Sequence, residues 1–585
     1  MLRRDFMATH MVFLNLILTI VLTVAVLFYR YIYPKKHLNL FFLLLIISII
    51  PVVSILRQGS YESGDINYHA TFAMSFFQSL KEGNIIPRWA SNLNSTYGYP
   101  LFVFIYPLPF YLVSIFRLFG FSYIGSVKVF LIFAYILSGI FTYLWAKTEL
   151  SEKGAFITAI FYIFAPYHLI DLHMRTDVGE VIALTILPLC LFFIKKYSKN
   201  KTFLAMFLAS IALALLVLSH NAISYISFPF LLIYSIFSWK TNNDFKRVIK
   251  AIQPFLLSLC YSAFFWIPAL YEIKFTYIDK TAVMYSFPSI ISYLYSPWRY
   301  GLLFQGPYGE LATILGYAQI IIIILSIIFL IKGIIFKKRR LLILSLVVFL
   351  LYFLLMQKVA SPLYKIIPLL KHIQFPYRIL SIISLIISLI AGIFIDNLVL
   401  KYTNKIVIII FLAVTLPTIL NWGARKLIPE YNDNFLIKKL TEGPNYGEGF
   451  PHAIPKWVDY NNPWQIKIPE NHLEIIQGKG DVNETLRTST AHRYLVNAET
   501  DLQLKENTYY FPGWIVMVDN VKQQINYENK QYPGIITFNL KKGIHYINVV
   551  FQDTLDRQMA FILSAGSFLL TIFYYEKLML SLKKK

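Results

Sequence analysis

Two acidic constellations are where this sequence could do chemistry. The first, Gly64-Asp65-Ile66-Asn67-Tyr68-His69, sets Asp65 and His69 four residues apart, so that on a helix they share a face. A carboxylate and an imidazole held together can serve as general base and partner, or as metal ligands. The competing reading is that Asp65 only caps the following helix. The second, His173-Met174-Arg175-Thr176-Asp177-Val178-Gly179-Glu180, brings Asp177 and Glu180 to the threshold of a hydrophobic run. Carboxylates there are costly unless paired, metal-bound or wetted, and pairing with Arg175 is the plainer alternative.

Other residues could complete a binding surface. Pro87-Arg88-Trp89 and Tyr97-Gly98-Tyr99-Pro100 combine a guanidinium with aromatic rings, which suits a phosphate-bearing sugar: arginine pairs with phosphate while rings stack on sugar. An interfacial aromatic belt would look the same. His220-Asn221, Glu272 beside Lys274, and Gln374-Phe375-Pro376-Tyr377-Arg378 recur at the ends of hydrophobic runs. Arg378 stands where a lipid phosphate would lie, or where an arginine snorkels to headgroups.

The elements that position these residues are membrane spans. Of 585 residues, 57% are hydrophobic and 15% charged, more apolar than one soluble core can hide. Hydrophobic segments fall near 11–29, 38–56, 101–119, 124–145, 154–170, 181–194, 202–218, 222–238, 251–270, 312–333, 341–356, 379–396, 406–421 and 559–576. The first is too long for a secretory signal and lacks a small-residue cleavage site, so it reads as a retained span. The net charge of +23 sits in short clusters between these runs, which points to positive cytoplasmic loops and excludes a nucleic-acid-binding stripe. Cys190 and Cys260 lie inside hydrophobic runs without disulfide or zinc spacing.

Charge alternation fixes the sides. Lys147/Lys153, Lys195 to Lys201, Lys240 to Lys250, Lys337 to Arg340, Lys401/Lys405 and Lys583 to Lys585 belong on the cytoplasmic side. Asp171 to Glu180, His220-Asn221, Tyr271 to Glu310, Gln357 to Arg378 and Trp422 to Gln558 belong on the other. The loop Arg57 to Pro100 joins the outer set only if 101–119, which carries Pro107, Pro109 and Arg117, is a juxtamembrane or re-entrant helix. The expected fold is therefore a polytopic α-helical membrane protein with about thirteen spans plus one juxtamembrane helix. Its expected parts are residues 1–421 in the membrane, an extracytoplasmic β-sandwich-like domain over 422–558, and a last span with a basic tail over 559–585. Strand-like runs at Trp514 to Val518 and Gly534 to Leu540, with turns at Tyr532-Pro533-Gly534 and Lys541-Lys542-Gly543, carry the β assignment.

The set Gly64-Asp65-x-x-x-His69, Pro87-Arg88-Trp89, Gly98-Tyr99-Pro100, Tyr106-Pro107-Leu108-Pro109, Arg175 to Glu180, His220-Asn221 and Phe375-Pro376-x-Arg378 resembles a family of bacterial membrane proteins known as related to 6-pyruvoyl-tetrahydropterin synthase. That family resembles a branch of the glycosyltransferase C superfamily, whose members take sugar from a polyprenyl-phosphate carrier at the outer face of the membrane. The resemblance implies a first-loop aspartate, matched by Asp65, as base or metal ligand, and a second acidic motif, matched by Asp177 with Glu180. The stretch from Tyr510-Phe511-Pro512-Gly513-Trp514 through Phe551-Gln552-Asp553-Thr554-x-x-Arg557 is similar to the outer β-domain of related proteins linked to glycosylation of envelope polymers. There is no DxD motif, because Asp177-Val178-Gly179-Glu180 is spaced more widely.

The expectation is a glycosyltransferase of the bacterial cytoplasmic membrane that moves sugar from a polyprenyl phosphate to a glycan, lipid or protein acceptor. Asp65, His69, Asp177 and Glu180 would be catalytic. Arg88, Trp89, Tyr97, Tyr99, Arg175, His220, Asn221, Glu272, Gln374 and Arg378 would hold the donor, and Asp65 and Asp177 would hold any divalent cation, Mg or Mn. The alternatives are a transporter or flippase of lipid-linked saccharide, and a polysaccharide-binding membrane protein; charge at the outer rim and the lack of inverted repeats favour the enzyme.

Overall fold

The computed structural model describes all residues except 1, 35, 37, 240–243, 279–285, 297–309, 335–336, 368–369, 371–372, 399–407, 410, 416–426, 443–450, 460–467 and 584–585. Among the described residues, six helices are long and apolar enough to cross a membrane, or up to nine if each of three bent pairs is one span. Four shorter apolar helices, Leu40–Leu56, Leu108–Leu118, Phe203–Ser219 and Tyr317–Ile331, accompany them. Most of the segment 406–421 lies outside the described residues. The segment 101–119 breaks at Ile105 to Pro107 into Leu101–Phe104 and Leu108–Leu118. Eleven helical residues reach about 16 Å, half the hydrocarbon thickness, so this helix is too short to cross alone.

The chain divides into two compact units. The first comprises residues 1–66, 127–258 and 284–429. Its centre is the helix Leu380–Asp396, whose residues 380–395 are all buried. Lipid offers no hydrophobic force between helices, so close backbone approach must hold them. Gly392 provides it against the helix Glu152–Ile163: a Cβ there would collide with Thr158 Oγ1 and the Gly154 carbonyl. At the opposite extreme, the window within Phe13–Ile32 is only 11% buried, and Phe13, Ile17, Val21 and Val24 point outward as lipid-facing side chains do.

The two ends of this unit carry different chemistry. At one, Glu149, almost fully buried, pairs with Lys195 at 2.6 Å and Lys338 at 3.3 Å and accepts from the Tyr234 hydroxyl at 2.9 Å. There too Asp396 accepts from the Ser151 amide at 2.8 Å, and Asn397 Oδ1 accepts from the Lys337 amide at 2.9 Å. Three basic loops that charge alternation assigns to one side are thus joined. The acidic loops gather around the Asp177 turn, and the short strands β1 (Ser60–Tyr61) and β2 (Leu427–Ile428) pair antiparallel in the same unit.

The second unit comprises residues 67–126, 259–283 and 430–585. It holds two antiparallel sheets built from β3 (Leu473–Gln477), β4 (Gly480–Arg487), β5 (Ala491–Ala498), β6 (Leu502–Tyr509), β7 (Trp514–Val518), β8 (Val521–Gln523), β9 (Ile535–Leu540) and β10 (Gly543–Phe551). The five-stranded sheet runs β4-β5-β10-β7-β8 and the three-stranded sheet β3-β6-β9. The strand-like runs of the sequence are β7 and β9, and Lys541-Lys542-Gly543 turns β9 into β10. Alternate residues such as Tyr494, Val496 and Ala498 face inward, the period-two signature of a half-covered sheet. Beneath them Glu506 Oε1 accepts from His492 Nδ1 at 2.7 Å, the Tyr494 hydroxyl at 3.0 Å and Arg487 Nη1 at 3.3 Å. Burial alone would raise this carboxyl, but His492, Arg487 and Tyr494 outweigh it and hold it down at about 2.

Candidate active site

Irregular backbone builds the site in the first unit. After the helix Pro166–Ile170 the chain enters a π-helical turn, Asp171–Arg175, closed by the Thr176 amide on the Asp171 carbonyl at 2.8 Å. Thr176 is then left-handed, with φ 60° and ψ 37°, a conformation a β-branched residue adopts at a cost. Asp177 follows as N-cap of Val178–Asn200, its Oδ1 accepting from the amides of Gly179 at 3.0 Å and Glu180 at 3.2 Å. The widened turn and the left-handed kink direct Asp171, Arg175, Asp177 and Glu180 to one place. Wide turns of this kind recur at functional sites.

Two guanidinium groups interlock with these carboxylates. Arg175 Nη1 lies 2.6 Å from Glu180 Oε2 and 2.8 Å from Asp171 Oδ1, and the Tyr167 hydroxyl donates to Glu180 Oε2 at 2.5 Å. Arg378 Nε donates to Glu180 Oε1 at 2.7 Å, while its Nη1 donates to the Ile373 carbonyl at 3.0 Å and Gln374 Oε1 at 3.1 Å. Asp177 Oδ2 faces Arg175 Nη2 at 3.5 Å, His220 Nε2 at 3.7 Å and Arg378 Nη2 at 4.0 Å. All six charged or imidazole side chains are at most 8% exposed. Tyr377 completes the wall, its ring centroid 5.7 Å from Arg175 Cζ.

The first-loop motif reaches this cluster through its backbone. The Gly64 amide donates to the Met174 carbonyl at 2.8 Å and the Asp65 amide to the Arg175 carbonyl at 2.9 Å. The approach needs a glycine, because a Cβ at position 64 would lie 3.2 Å from the Arg175 carbonyl oxygen. The loop is further anchored by the Tyr61 hydroxyl on the Leu172 carbonyl at 3.4 Å and by Lys128 Nζ on the Gly59 carbonyl at 2.8 Å.

Asp177, Glu180 and His220 each offer a ligand atom within 4.8 Å of the others, so this trio, among the described residues, could hold a metal ion. Asp65 does not belong to it. The donor set fits such an ion poorly as arranged. Both Glu180 oxygens already face guanidinium groups, and His220 Nδ1 accepts from the Ile223 amide at 3.2 Å, capping Asn221–Ser238. That bond puts the ring proton of neutral His220 on Nε2, the atom that faces the carboxylates and would have to bind the metal.

Several residues expected at a donor site have other partners, in the second unit. Arg88 Nε pairs with Asp553 at 3.0 Å and Arg88 Nη2 donates to the Phe264 carbonyl at 3.3 Å; burial disfavours its charge and lowers its proton affinity, and Asp553 offsets part of this. Trp89 is 1% exposed and packs on Trp514 and Phe551, with centroids 5.4 Å away in each case. Tyr97 stacks on Tyr509 at 5.4 Å, and Tyr99 is wholly buried. Glu272 pairs with Arg557 at 2.9 Å, both buried, near the start of the last helix, Leu555–Lys583. These contacts bind the first-loop segment and the β-sheets into one unit and engage the faces a sugar phosphate would use. His69 is carried by Ile66–Lys81 to a place beside Phe72 and Phe110, each 6.2 Å from its ring, and Asp65 is the residue just before that helix. Asn221 opens the helix that His220 caps.

The structure therefore brings together Arg175, Asp177, Glu180, His220, Gln374 and Arg378, with the Asp65 backbone alongside. It adds Tyr167, and it gives site contacts to Asp171 and Tyr377, to which sequence reasoning assigned no role. Asp171 was findable, since it stands four residues before Arg175 and that spacing makes an ion pair on a helix. The tyrosines carried no signal in so aromatic a chain.

A curated relative from Lactococcus lactis subsp. cremoris (strain MG1363), an uncharacterized protein, is 26% identical over 252 residues, 41% of each chain. Solved structures with similarity include a variant of the arabinofuranosyltransferase AftD from Mycobacteria, with TM-score 0.42 and 14% identity over 66% of this chain and 28% of that one. Another is the Archaeoglobus fulgidus oligosaccharyltransferase in its apo form, with TM-score 0.41 and 13% identity over 68% of this chain and 57% of that one. The chain thus spans less than two thirds of the length of each. The family model of the 6-pyruvoyl-tetrahydropterin synthase related domain, described as a membrane protein, matches residues 102–424, more than half the chain, and the protein belongs to that family.

Proposed function

We propose that the protein is a membrane glycosyltransferase that moves a sugar from a polyprenyl-phosphate donor to a hydroxyl of a glycan, lipid or protein acceptor. The observation that carries the reading is the buried carboxylate and guanidinium cluster docked against the Asp65 backbone. Such a cluster in apolar surroundings is expensive, and where it is retained a ligand or reaction is the default explanation. The acceptor oxygen attacks the anomeric carbon, the bond from that carbon to the phosphate oxygen breaks, polyprenyl phosphate leaves with the electron pair, and the acceptor proton passes to Asp65. Arg175 and Arg378 supply positive charge for the leaving phosphate. His220, with its tautomer held by the Ile223 amide, presents an Nε2 proton to the same place. A Mg or Mn ion would have Asp177, Glu180 and His220 as its ligands only after the two guanidinium groups and the His220 proton moved.

In this reading residues 1–421 carry the chemistry, 422–558 form an extracytoplasmic β-rich part, and 559–585 return the chain to the bacterial cytoplasmic membrane. The test is sugar transfer by purified protein from a panel of radiolabelled polyprenyl-phosphate monosaccharides, with Asp65→Asn and with EDTA in parallel. Turnover lost in Asp65→Asn supports the assignment. Full turnover in Asp65→Asn removes Asp65 as base, and no turnover by folded wild-type protein with any donor favours the transporter reading.

A further inference from the structure

A cavity at the other end of the first unit lies far from the proposed chemistry in character and composition. Its volume is about 640 Å³, within the range of small-molecule sites, roughly 300–1,000 Å³. Its walls are apolar and come from separate helices, with Leu22 and Val26 on one, Leu43 and Ile47 on the next, and Phe156 on a third. Its rim is polar: Arg30, Ser151, Glu152 and Lys153. Of these, Glu152 is turned to the Tyr143 hydroxyl, which donates to it at 3.3 Å, and Ser151 is held by Asp396. Arg30 Nη1 donates to the Lys36 carbonyl at 3.0 Å, which keeps the guanidinium at the mouth. The rim shares its end of the unit with the clasp of Glu149, Lys195 and Lys338.

We propose that this cavity is a site for one anionic membrane phospholipid, with an acyl chain against the apolar walls and its phosphate between Arg30 and Lys153. The occupant follows from physical argument. Transferring a chain from bilayer to apolar cavity gains little, because lipid tails are as apolar as leucine, so selection falls on the headgroup. Two cations against one internally engaged carboxylate select negative charge, and basic pockets between helices on the side of the positive loops are where anionic headgroups bind. The site is independent of the transferase reading.

The experiment is native mass spectrometry of the full chain in mild detergent with phosphatidylglycerol or phosphatidylcholine of matched acyl chains. One phosphatidylglycerol should be retained with roughly ten-fold preference. Arg30→Gln with Lys153→Gln, both at the half-exposed rim, should erase the preference while leaving the thermal melt in place. Val26→Trp, which fills the cavity, should prevent retention of either lipid. Equal retention of the two lipids, or a phosphatidylglycerol preference that survives the double substitution, overturns the proposal.

Discussion

Replacing Glu180 by glutamine keeps its volume and removes its charge from between two arginines. In the native protein the carboxylate stands 2.6 Å from Arg175 and 2.7 Å from Arg378 and accepts from Tyr167. The arginines are not left in equal positions. Arg175 retains Asp171 at 2.8 Å and Asp177 at 3.5 Å, whereas the nearest carboxylate left to Arg378 is Asp177 at 4.0 Å. Unit charges about 4 Å apart interact by roughly 4 kcal/mol at an effective dielectric of 20, and removing one partner of a buried pair costs about 3–5 kcal/mol. Most of that cost falls on Arg378.

The measurement is a pair of double-mutant cycles by equilibrium unfolding in mixed detergent micelles. Glu180→Gln crossed with Arg378→Gln should give a coupling of about 2 kcal/mol, and crossed with Arg175→Gln about 1 kcal/mol or less, because Asp171 stands in. Additivity in the Arg378 cycle, or a larger coupling in the Arg175 cycle, would refute the account of which carboxylate holds which arginine.

Three further outcomes are expected. Asp65→Asn should lower transfer about 10²- to 10⁴-fold, the usual weight of a general base, with an unchanged melt because the backbone bond to Arg175 is retained. In the second unit, Glu506 is held near 2, below its unfolded value of about 4.3, so its contribution of roughly 3 kcal/mol is complete above that value and fades as pH falls toward 2. Glu506→Gln should flatten that acid limb, read from the fluorescence of Trp514, whose ring lies 5.2 Å from that of His492. Gly392→Leu should destabilise the first unit by about 1–3 kcal/mol, seen as a lower melting temperature, since its side chain meets Thr158 and the Gly154 carbonyl.

Hydrophobic runs and charge alternation revealed most of the architecture because both follow from the membrane as solvent. Carbon-rich runs must be spans, and basic loops must collect on one side. That logic assigned the loops of Lys195 and Lys338 to one side, and both lysines pair with Glu149. The acidic motif was legible for the same reason, since Asp177 and Glu180 at the start of a span demand partners. Their partner Arg378, some two hundred residues onward, could be assigned to the same side as Glu180 but not placed opposite it. Helix register and the π-turn at Asp171 to Arg175 are set by packing, which leaves no periodic trace in sequence.

Arg88, Trp89 and Tyr97 show the converse. A guanidinium beside rings reads as a phosphate and sugar surface, yet the same groups satisfy one another within a folded unit, as Arg88 does with Asp553 and Trp89 with Trp514. What separates the two outcomes is the balance of partners. Arg88 has a dedicated carboxylate, whereas in the Asp177 cluster Glu180 faces two arginines at once and Arg175 also faces Asp171. In the proposed reaction such a cluster would take up the donor phosphate by exchange: as one arginine turns from Glu180 to the phosphate, the other would still neutralise Glu180. In the proposed reaction, the charge that holds the site together before the donor arrives would be the charge that receives the leaving group.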